Sequence, residues 1–240
     1  MSGQPTKLGF VVPSSNTTVE RELAATLHGG VSFHTARMPL QNVTVEELDA
    51  MADDAVAAAE RLSHAEVDVV AYACTTGSLL HGPGFDTQLE EDLSEATQAP
   101  AVATARSVKR ALDALGAESV ALVTPYTDDL NEREVDFLEA EGVSVASVDG
   151  RGIEANTEIG ALTPNDAAQQ VRDAVGDEVA ADAVFVSCTN YRTFAAVQDL
   201  EAAFDVPVVT SNTATLWDAL RAAGEATDCV PGHLGRITGR

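Results

Sequence analysis

The chain has 240 residues, of which 38 are acidic and 14 basic, so its formal net charge at pH 7 is -24. This balance argues against nucleic acid and anionic membranes as partners, because both reward clustered lysine and arginine. The acidic surface, with Lys7 and Lys109 as the only lysines, is typical of halophilic cytosolic proteins, in which concentrated salt screens the repulsion between carboxylates. An ordinary acidic cytosolic protein is the alternative.

The first half of the chain alternates predicted strands with predicted helices. Strands are predicted over Lys7–Val12, Val31–Met38, Val67–Ala73 and Pro100–Thr104. Helices are predicted after a capping box formed by Thr17 and Glu20, as one long amphipathic helix from Val45 to Leu62, and over Phe85–Thr97 and Val108–Leu115. Such alternation predicts a parallel sheet with right-handed crossovers.

The second half repeats this order. Strands are predicted over Ser119–Thr124, Val143–Val148, the apolar run from Ala183 to Cys188, and Val206–Thr210. Helices are predicted over Asp129–Glu141, Pro164–Val175, Thr193–Phe204 and Thr213–Ala223. The repeat indicates an internal duplication.

Matching sequence motifs relate the two halves of the chain. Cys74-Thr75 corresponds to Cys188-Thr189, and each pair ends an apolar strand. The sequence therefore predicts an α/β fold of two lobes related by a pseudo-twofold axis, each a four-stranded parallel sheet flanked by helices, with an active site in the cleft between them. We expect an N-terminal lobe over 7–105, a C-terminal lobe over 106–211, a helix over 212–224 that packs on the N-terminal lobe, and a tail over 225–240.

The cysteines carry the strongest functional signal. Ligands of open parallel sheets bind at the carboxyl ends of the strands, where Cys74 and Cys188 fall. A single strand-end cysteine is more often a small buried residue than a nucleophile, but two in matching halves predict catalysis. Cys229, in the tail, is expected to have no catalytic role.

The sequence lacks the motifs typical of disulfide-bonded, metal-binding, nucleotide-binding and membrane proteins. The three cysteines have no disulfide spacing, which indicates free thiols in a reducing compartment. The histidines have no paired ligand spacing, so we expect no metal, and no glycine-rich phosphate loop indicates a nucleotide. The N-terminus lacks signal-peptide features and no apolar run reaches the roughly 18 residues of a membrane helix. We expect a cytoplasmic protein without a cofactor.

Four segments carry a resemblance to a known family: Val12–Glu20, Ala71–Ser78, Val186–Thr193 and Val209–Trp217. They resemble the maleate cis-trans isomerases of the aspartate/glutamate racemase superfamily, which are related to arylmalonate decarboxylase. The resemblance implies that Cys74 is the nucleophile and Cys188 its acid/base partner. It also implies that Asn16, Tyr126 and Asn156 surround the substrate. The decarboxylase branch keeps only the second cysteine, so the presence of Cys74 argues against it.

The implied reaction needs no cofactor. A thiolate adds to one carbon of the maleate double bond, the resulting single bond rotates, and elimination gives fumarate. A free cysteine has a pKa of about 8.5, so we expect the pKa of Cys74 to be lowered, with help from the backbone N–H groups of the Thr75–Gly77 turn. A small dicarboxylate bound by an acidic chain requires neutral donors, which are predicted to be Asn16, Asn156, Tyr126, Thr75, Thr76 and Thr189. We also expect a homo-oligomer.

Two other functions stay open beside isomerisation and decarboxylation. Two opposed cysteines can racemise an amino acid or a hydantoin by acting as bases on one α-carbon. The scaffold can also bind small anions without catalysis. The tyrosine and asparagine residues around the cysteines favour isomerisation over racemisation.

Overall fold

The computed structural model of the protein describes residues 5–52, 54–176 and 178–237. Within these ranges the chain forms two four-stranded sheets in which every strand pair is parallel. The strands are β1 (Thr6–Pro13), β2 (Val31–Met38), β3 (Val69–Tyr72), β4 (Ala101–Ala103), β5 (Ser119–Thr124), β6 (Ser144–Gly150), β7 (Ala183–Val186) and β8 (Val208–Thr210). Their order is β2-β1-β3-β4 in the first sheet and β6-β5-β7-β8 in the second. The identical order confirms the predicted duplication and fold class.

Helices connect the strands in both halves. They are α1 (Val19–Thr26), α2 (Val45–Ala52), α3 (Ala55–Ser63), α4 (Thr75–Leu79), α5 (Phe85–Thr97), α6 (Thr104–Leu115), α7 (Asp128–Ala140), α8 (Asn156–Ala161), α9 (Pro164–Val175), α10 (Phe194–Phe204) and α11 (Ser211–Ala222), followed by a 3₁₀ turn at Leu234–Arg236. None of the helices in the described ranges has the length and hydropathy needed to cross a bilayer.

The central strands are short and apolar. All four residues of β3 and all four of β7 are buried, as expected for parallel strands covered by helices on both faces. Cys74 and Cys188 each follow two residues after the end of one of these strands, so both thiols lie at the carboxyl edges of the two sheets.

The prediction of one helix from Val45 to Leu62 is wrong. The chain is interrupted between α2 and α3, where the backbone N–H of Asp54 donates to the carbonyl of Met51 at 3.1 Å. Asp54 is the N-cap residue of α3, and its side chain makes no capping hydrogen bond. The continuous apolar periodicity hid this break, since Met51 and Ala55 on its two sides are both buried.

The last long helix contacts the end of the first half of the chain. Asp218 of α11 accepts hydrogen bonds from the Ser107 hydroxyl at 2.9 Å and from the Arg110 guanidinium at 2.7 Å, both on α6. In the segment after α11, the side chains of Val230 and Leu234 are buried in the hydrophobic core. The last three residues of the predicted tail lie outside the described ranges.

Candidate active site

A small cavity lies at the carboxyl ends of the strands and is lined by residues from both halves of the chain. It brings together all eight residues predicted for the site, namely Asn16, Cys74, Thr75, Thr76, Tyr126, Asn156, Cys188 and Thr189. Sequence reasoning missed the four other residues that line it, namely Pro13, Leu40, Val43 and Asn190. The predicted residues therefore share one small cavity, although they come from distant parts of the chain.

Cys74 lies at the turn from β3 into α4. Its thiol is buried, 4.0 Å from the hydroxyl of Thr76, and accepts a hydrogen bond from the backbone N–H of Gly77. Burial raises the pKa of Cys74 to about 11, because desolvation of the thiolate outweighs the two hydrogen bonds, which lower the pKa. The expectation of a lowered pKa is therefore wrong in this structure. The turn supplies the expected backbone N–H group, that of Gly77, but burial of the thiol has the larger effect on the pKa.

Cys188 has an unusual backbone conformation. Its φ angle is +91°, in a region that non-glycine residues seldom adopt and that persists only when the surroundings hold it. Its N–H donates to the hydroxyl of Ser211 at 3.0 Å, and its sulfur accepts from the N–H of Asn190 at 3.4 Å. Burial raises the pKa of Cys188 to about 12, and a hydrogen bond from the Tyr126 hydroxyl partly offsets this effect.

Ser211 connects the two cysteine turns. Its hydroxyl accepts from the Cys188 N–H and from the hydroxyl of Thr75 at 2.8 Å. The sequence carried a signal for this residue, because the duplication aligns Pro207–Ser211 with Pro100–Thr104 and so places Ser211 opposite Thr104. In the first half, the Thr104 hydroxyl donates to the carbonyl of Tyr72. Both β4 and β8 are therefore followed directly by a hydroxyl residue that hydrogen-bonds to the backbone of the neighbouring cysteine-bearing segment.

Asn16 has two roles in the structure. Its side-chain nitrogen donates to the Thr189 hydroxyl at 3.3 Å, which places it on the cavity wall. Its side-chain oxygen accepts from the backbone N–H groups of Thr18 and Val19 at 2.9 and 3.0 Å and so caps the start of α1. The predicted capping box of Thr17 and Glu20 is wrong, because α1 begins one residue later, with Thr18 as its N-cap residue, and the Glu20 side chain instead pairs with β2.

Asn156 forms hydrogen bonds with Asn190, a residue that was not predicted for the site. The side-chain nitrogen of Asn190 donates to the carbonyl of Asn156 at 2.6 Å and to its side-chain oxygen at 3.1 Å. The side-chain oxygen of Asn190 accepts from the N–H of Thr17 at 2.9 Å. Asn156 itself donates to the Ser15 hydroxyl at 2.7 Å. Asn190 thus joins three segments at the cavity, and the duplication indicates it, because it corresponds to Thr76.

Among the residues that the structure describes, none of those lining the cavity has a charged side chain. Hydroxyl, amide and thiol groups supply its polar surface, and the apolar residues Leu40 and Val43 of the β2–α2 connection form part of the wall. Neutral hydrogen-bond donors of this kind can stabilise a negative charge.

The chain matches a known protein family over nearly its whole length. The family model described as arylmalonate decarboxylase matches residues 8–236. A maleate isomerase from Geobacillus stearothermophilus is 31% identical over an alignment of 248 positions, gaps included, that covers 98% of each chain. The chain belongs to the maleate isomerase and arylmalonate decarboxylase family.

Solved members of the family have the same fold. The maleate isomerase Iso from Pseudomonas putida S16, crystallised as a cysteine-to-alanine variant with maleate, superposes with a TM-score of 0.92 at 30% identity, covering 98% of this chain and 99% of that one. A cysteine-to-serine mutant of the Nocardia farcinica maleate cis-trans isomerase with a covalently bound succinylcysteine intermediate gives a TM-score of 0.91 at 31% identity, with the same coverage.

Proposed function

We propose that the chain catalyses the cofactor-independent cis-trans isomerisation of maleate, or of a close cis-dicarboxylate, to fumarate. The observation that carries this proposal is the presence of two strand-end thiols, Cys74 and Cys188, in one buried cavity lined by neutral donors. The maleate bound to the Pseudomonas relative and the succinylcysteine of the Nocardia relative support it. Neither a metal nor an organic cofactor is required by this chemistry.

In the proposed mechanism Cys74 reacts as the thiolate, which the raised pKa of this thiol makes the minor form in the substrate-free protein. Its sulfur bonds to one alkene carbon, and the π electrons move onto the other carbon and its carboxylate. The thiol of Cys188 protonates that carbon and becomes a thiolate itself, which leaves a succinyl thioether on Cys74. After rotation about the new single bond, Cys188 takes back a proton from the same carbon, the double bond re-forms, and the carbon–sulfur bond breaks to release fumarate and the Cys74 thiolate.

The neutral donors around the cavity have two tasks in this proposal. They bind the two carboxylates, and they stabilise the negative charge that develops on the carboxylate next to the carbanion. We assign substrate binding to Asn16, Thr75, Thr76, Tyr126, Asn156 and Thr189. Tyr126 has a second task, because its hydrogen bond to Cys188 favours the thiolate that exists between protonation and elimination.

A cofactor-free assay tests the proposal. Purified protein is incubated with maleate, and proton NMR follows the loss of maleate and the appearance of fumarate. We expect turnover by the wild type and by Cys229→Ser, whose thiol lies outside the cavity, and none by Cys74→Ser, because a serine hydroxyl is a far weaker nucleophile than a thiolate. Release of carbon dioxide from an arylmalonate, or racemisation of an amino acid, without any turnover of maleate would overturn it.

A further inference from the structure

Glu22 is a buried carboxylate of the first half of the chain whose hydrogen bonds all go to the second half. It lies on α1 and is 8% exposed. One oxygen accepts from the backbone N–H groups of Thr193 and Phe194 at 2.7 and 2.9 Å. The other accepts from the side-chain nitrogen of Asn212 at 2.7 Å. Glu22 therefore joins α1 to the start of α10 and to α11.

These contacts lead directly to the cavity. The side-chain nitrogen of Asn212 that donates to Glu22 also donates to the carbonyl of Thr189 at 3.0 Å, and Thr189 follows Cys188. Residues 188–194 form what we call the Cys188 segment. Through Asn212 at one end and through the N–H groups of Thr193 and Phe194 at the other, Glu22 holds this segment against the first half of the chain.

The Cys188 segment needs such support. The positive φ of Cys188 is a conformation that its surroundings must impose. The carbonyl of Thr189 belongs to the same peptide group as the N–H of Asn190, which donates to the Cys188 sulfur. If that carbonyl were released, the peptide group would relax, and the thiol would move relative to Cys74. Proton transfer is sensitive to displacements of this kind, since donor and acceptor must approach within about 3 Å.

The surroundings of Glu22 are otherwise neutral. A small cavity beside the carboxylate is lined by Phe10, Val19, Leu23, Ala73, Phe194, Asn212 and Thr215, and Arg192 is the charged group that acts on the carboxylate. Burial raises the pKa of Glu22 to about 7, while its hydrogen bonds and Arg192 lower it. Protonation of Glu22 would weaken its ability to accept from its three donors, the N–H groups of Thr193 and Phe194 and the side chain of Asn212.

We infer that Glu22 is a positioning residue that fixes the Cys188 thiol opposite Cys74, through Asn212 and the ends of the Cys188 segment. The inference rests on the proposed function, because it assigns Cys188 the proton-transfer step. It predicts that loss of Glu22 impairs the steps that need Cys188 more than substrate binding or addition by Cys74.

The chain offers a matched control. Glu201 is also buried, at 6% exposure, and accepts from the backbone N–H groups of Val208 at 3.1 Å and His233 at 2.9 Å. None of the hydrogen bonds described for Glu201 reaches the Cys188 segment. Glu22→Gln and Glu201→Gln each replace a buried carboxyl group that accepts from backbone N–H groups, and only the first acts on the Cys188 segment. The Glu201 carboxyl also lies 2.8 Å from Nδ1 of His233.

The experiment measures kcat and KM for maleate, the melting temperature, and the rates at which iodoacetamide alkylates Cys188 and Cys74, by peptide mass mapping. For Glu22→Gln we expect kcat to fall at least tenfold with KM within threefold. We expect the Cys74 adduct to accumulate after acid quench, and the ratio of the two alkylation rates to change at least threefold. Glu201→Gln should keep the wild-type kcat and ratio even where its melting temperature falls.

Asn212→Ala provides the same test if Glu22→Gln does not fold, because it breaks the connection to Thr189 while leaving both backbone hydrogen bonds of Glu22. A kcat within twofold of the wild type in both variants, or an equal loss in Glu201→Gln, would overturn the inference. If the wild type does not turn over maleate, the proposed function fails. The alkylation ratio then still decides whether Glu22 positions Cys188.

Discussion

The hydroxyl of Tyr72 lies over the α-carbon of Gly77, so a methyl group at position 77 would stand 2.6 Å from that hydroxyl. The same methyl group would stand 3.1 Å from the sulfur of Cys74 and 2.8 Å from the terminal methyl of Met51. Gly77 also supplies the N–H group that reaches the Cys74 thiol. The absence of a side chain at this position thus allows the turn to close around the proposed nucleophile.

Gly77→Ala should therefore lower both stability and activity. Overpacking a buried site of this kind costs about 1–3 kcal/mol, and displacement of Cys74 should reduce kcat/KM for maleate by at least tenfold. Gly30→Ala is the control, because nothing lies within 4 Å of a methyl group there. The hydroxyl of Tyr72 is buried without a hydrogen-bond partner among the described residues, so adding Tyr72→Phe should restore part of the loss. A Gly77→Ala enzyme as active as Gly30→Ala would refute this reading.

Cys188→Ser should separate addition from elimination. Serine keeps a weak proton donor of similar size, so Cys74 can still engage maleate while completion is slowed. Rapid acid quench followed by peptide mapping should show a mass increase equal to that of maleic acid on the Cys74 peptide. In a two-base racemase neither thiol bonds to carbon, and no adduct should form. An adduct on the Cys188 peptide of Cys74→Ser instead would reverse the assignment of the two thiols.

Glu134 should make the fold sensitive to pH. One oxygen of this buried carboxyl accepts from the Ser187 hydroxyl at 2.7 Å, and the other has no partner among the described residues. Burial raises its pKa from 4.5 to about 8. Because the folded pKa is the higher one, the folded state binds this proton more tightly, and the resulting stability is present below pH 4.5 and lost as the pH rises to about 8.

Glu134→Gln, which resembles the protonated acid, should accordingly raise the melting temperature at pH 8.5, on the order of 5 °C. The difference from the wild type should vanish or reverse at pH 4.5. Differential scanning calorimetry at the two pH values measures both. An equal shift at both would mean that the substitution acts through packing and not through the proton.

Salt should stabilise the fold if the acidic composition reflects a halophilic surface. In 0.01 M salt the Debye length is about 30 Å, so carboxylates repel one another over most of the protein, whereas at 1 M it is about 3 Å. The melting temperature should rise steeply with potassium chloride up to molar concentrations. A melting temperature that stays constant or falls with added salt would instead indicate an ordinary acidic protein.

Much of this architecture was predictable because it depends on local patterns. The helix Phe85–Thr97 has the predicted bounds, and the repeated Cys-Thr phrase located both strand ends that meet at the cavity. Asn190 and Ser211 were missed although the duplication aligns each with a threonine, since their importance lies in hydrogen bonds between distant segments. The raised pKa values of Cys74 and Cys188 depend on depth in the folded protein, which no local pattern encodes. The lobe boundaries, the homo-oligomer, the residue roles and the cytoplasmic location stay predictions.

The uncharged wall of the cavity has a consequence for how fast a substrate arrives. A dianion that approaches a protein of net charge -24 meets a repulsive field, and the lining of the cavity offers no cation to offset it. Encounter is then slowed at low ionic strength and accelerated as salt screens the field, the reverse of the steering that fast enzymes obtain from opposite charge. For such an enzyme, concentrated salt is the medium in which its substrate reaches it most readily.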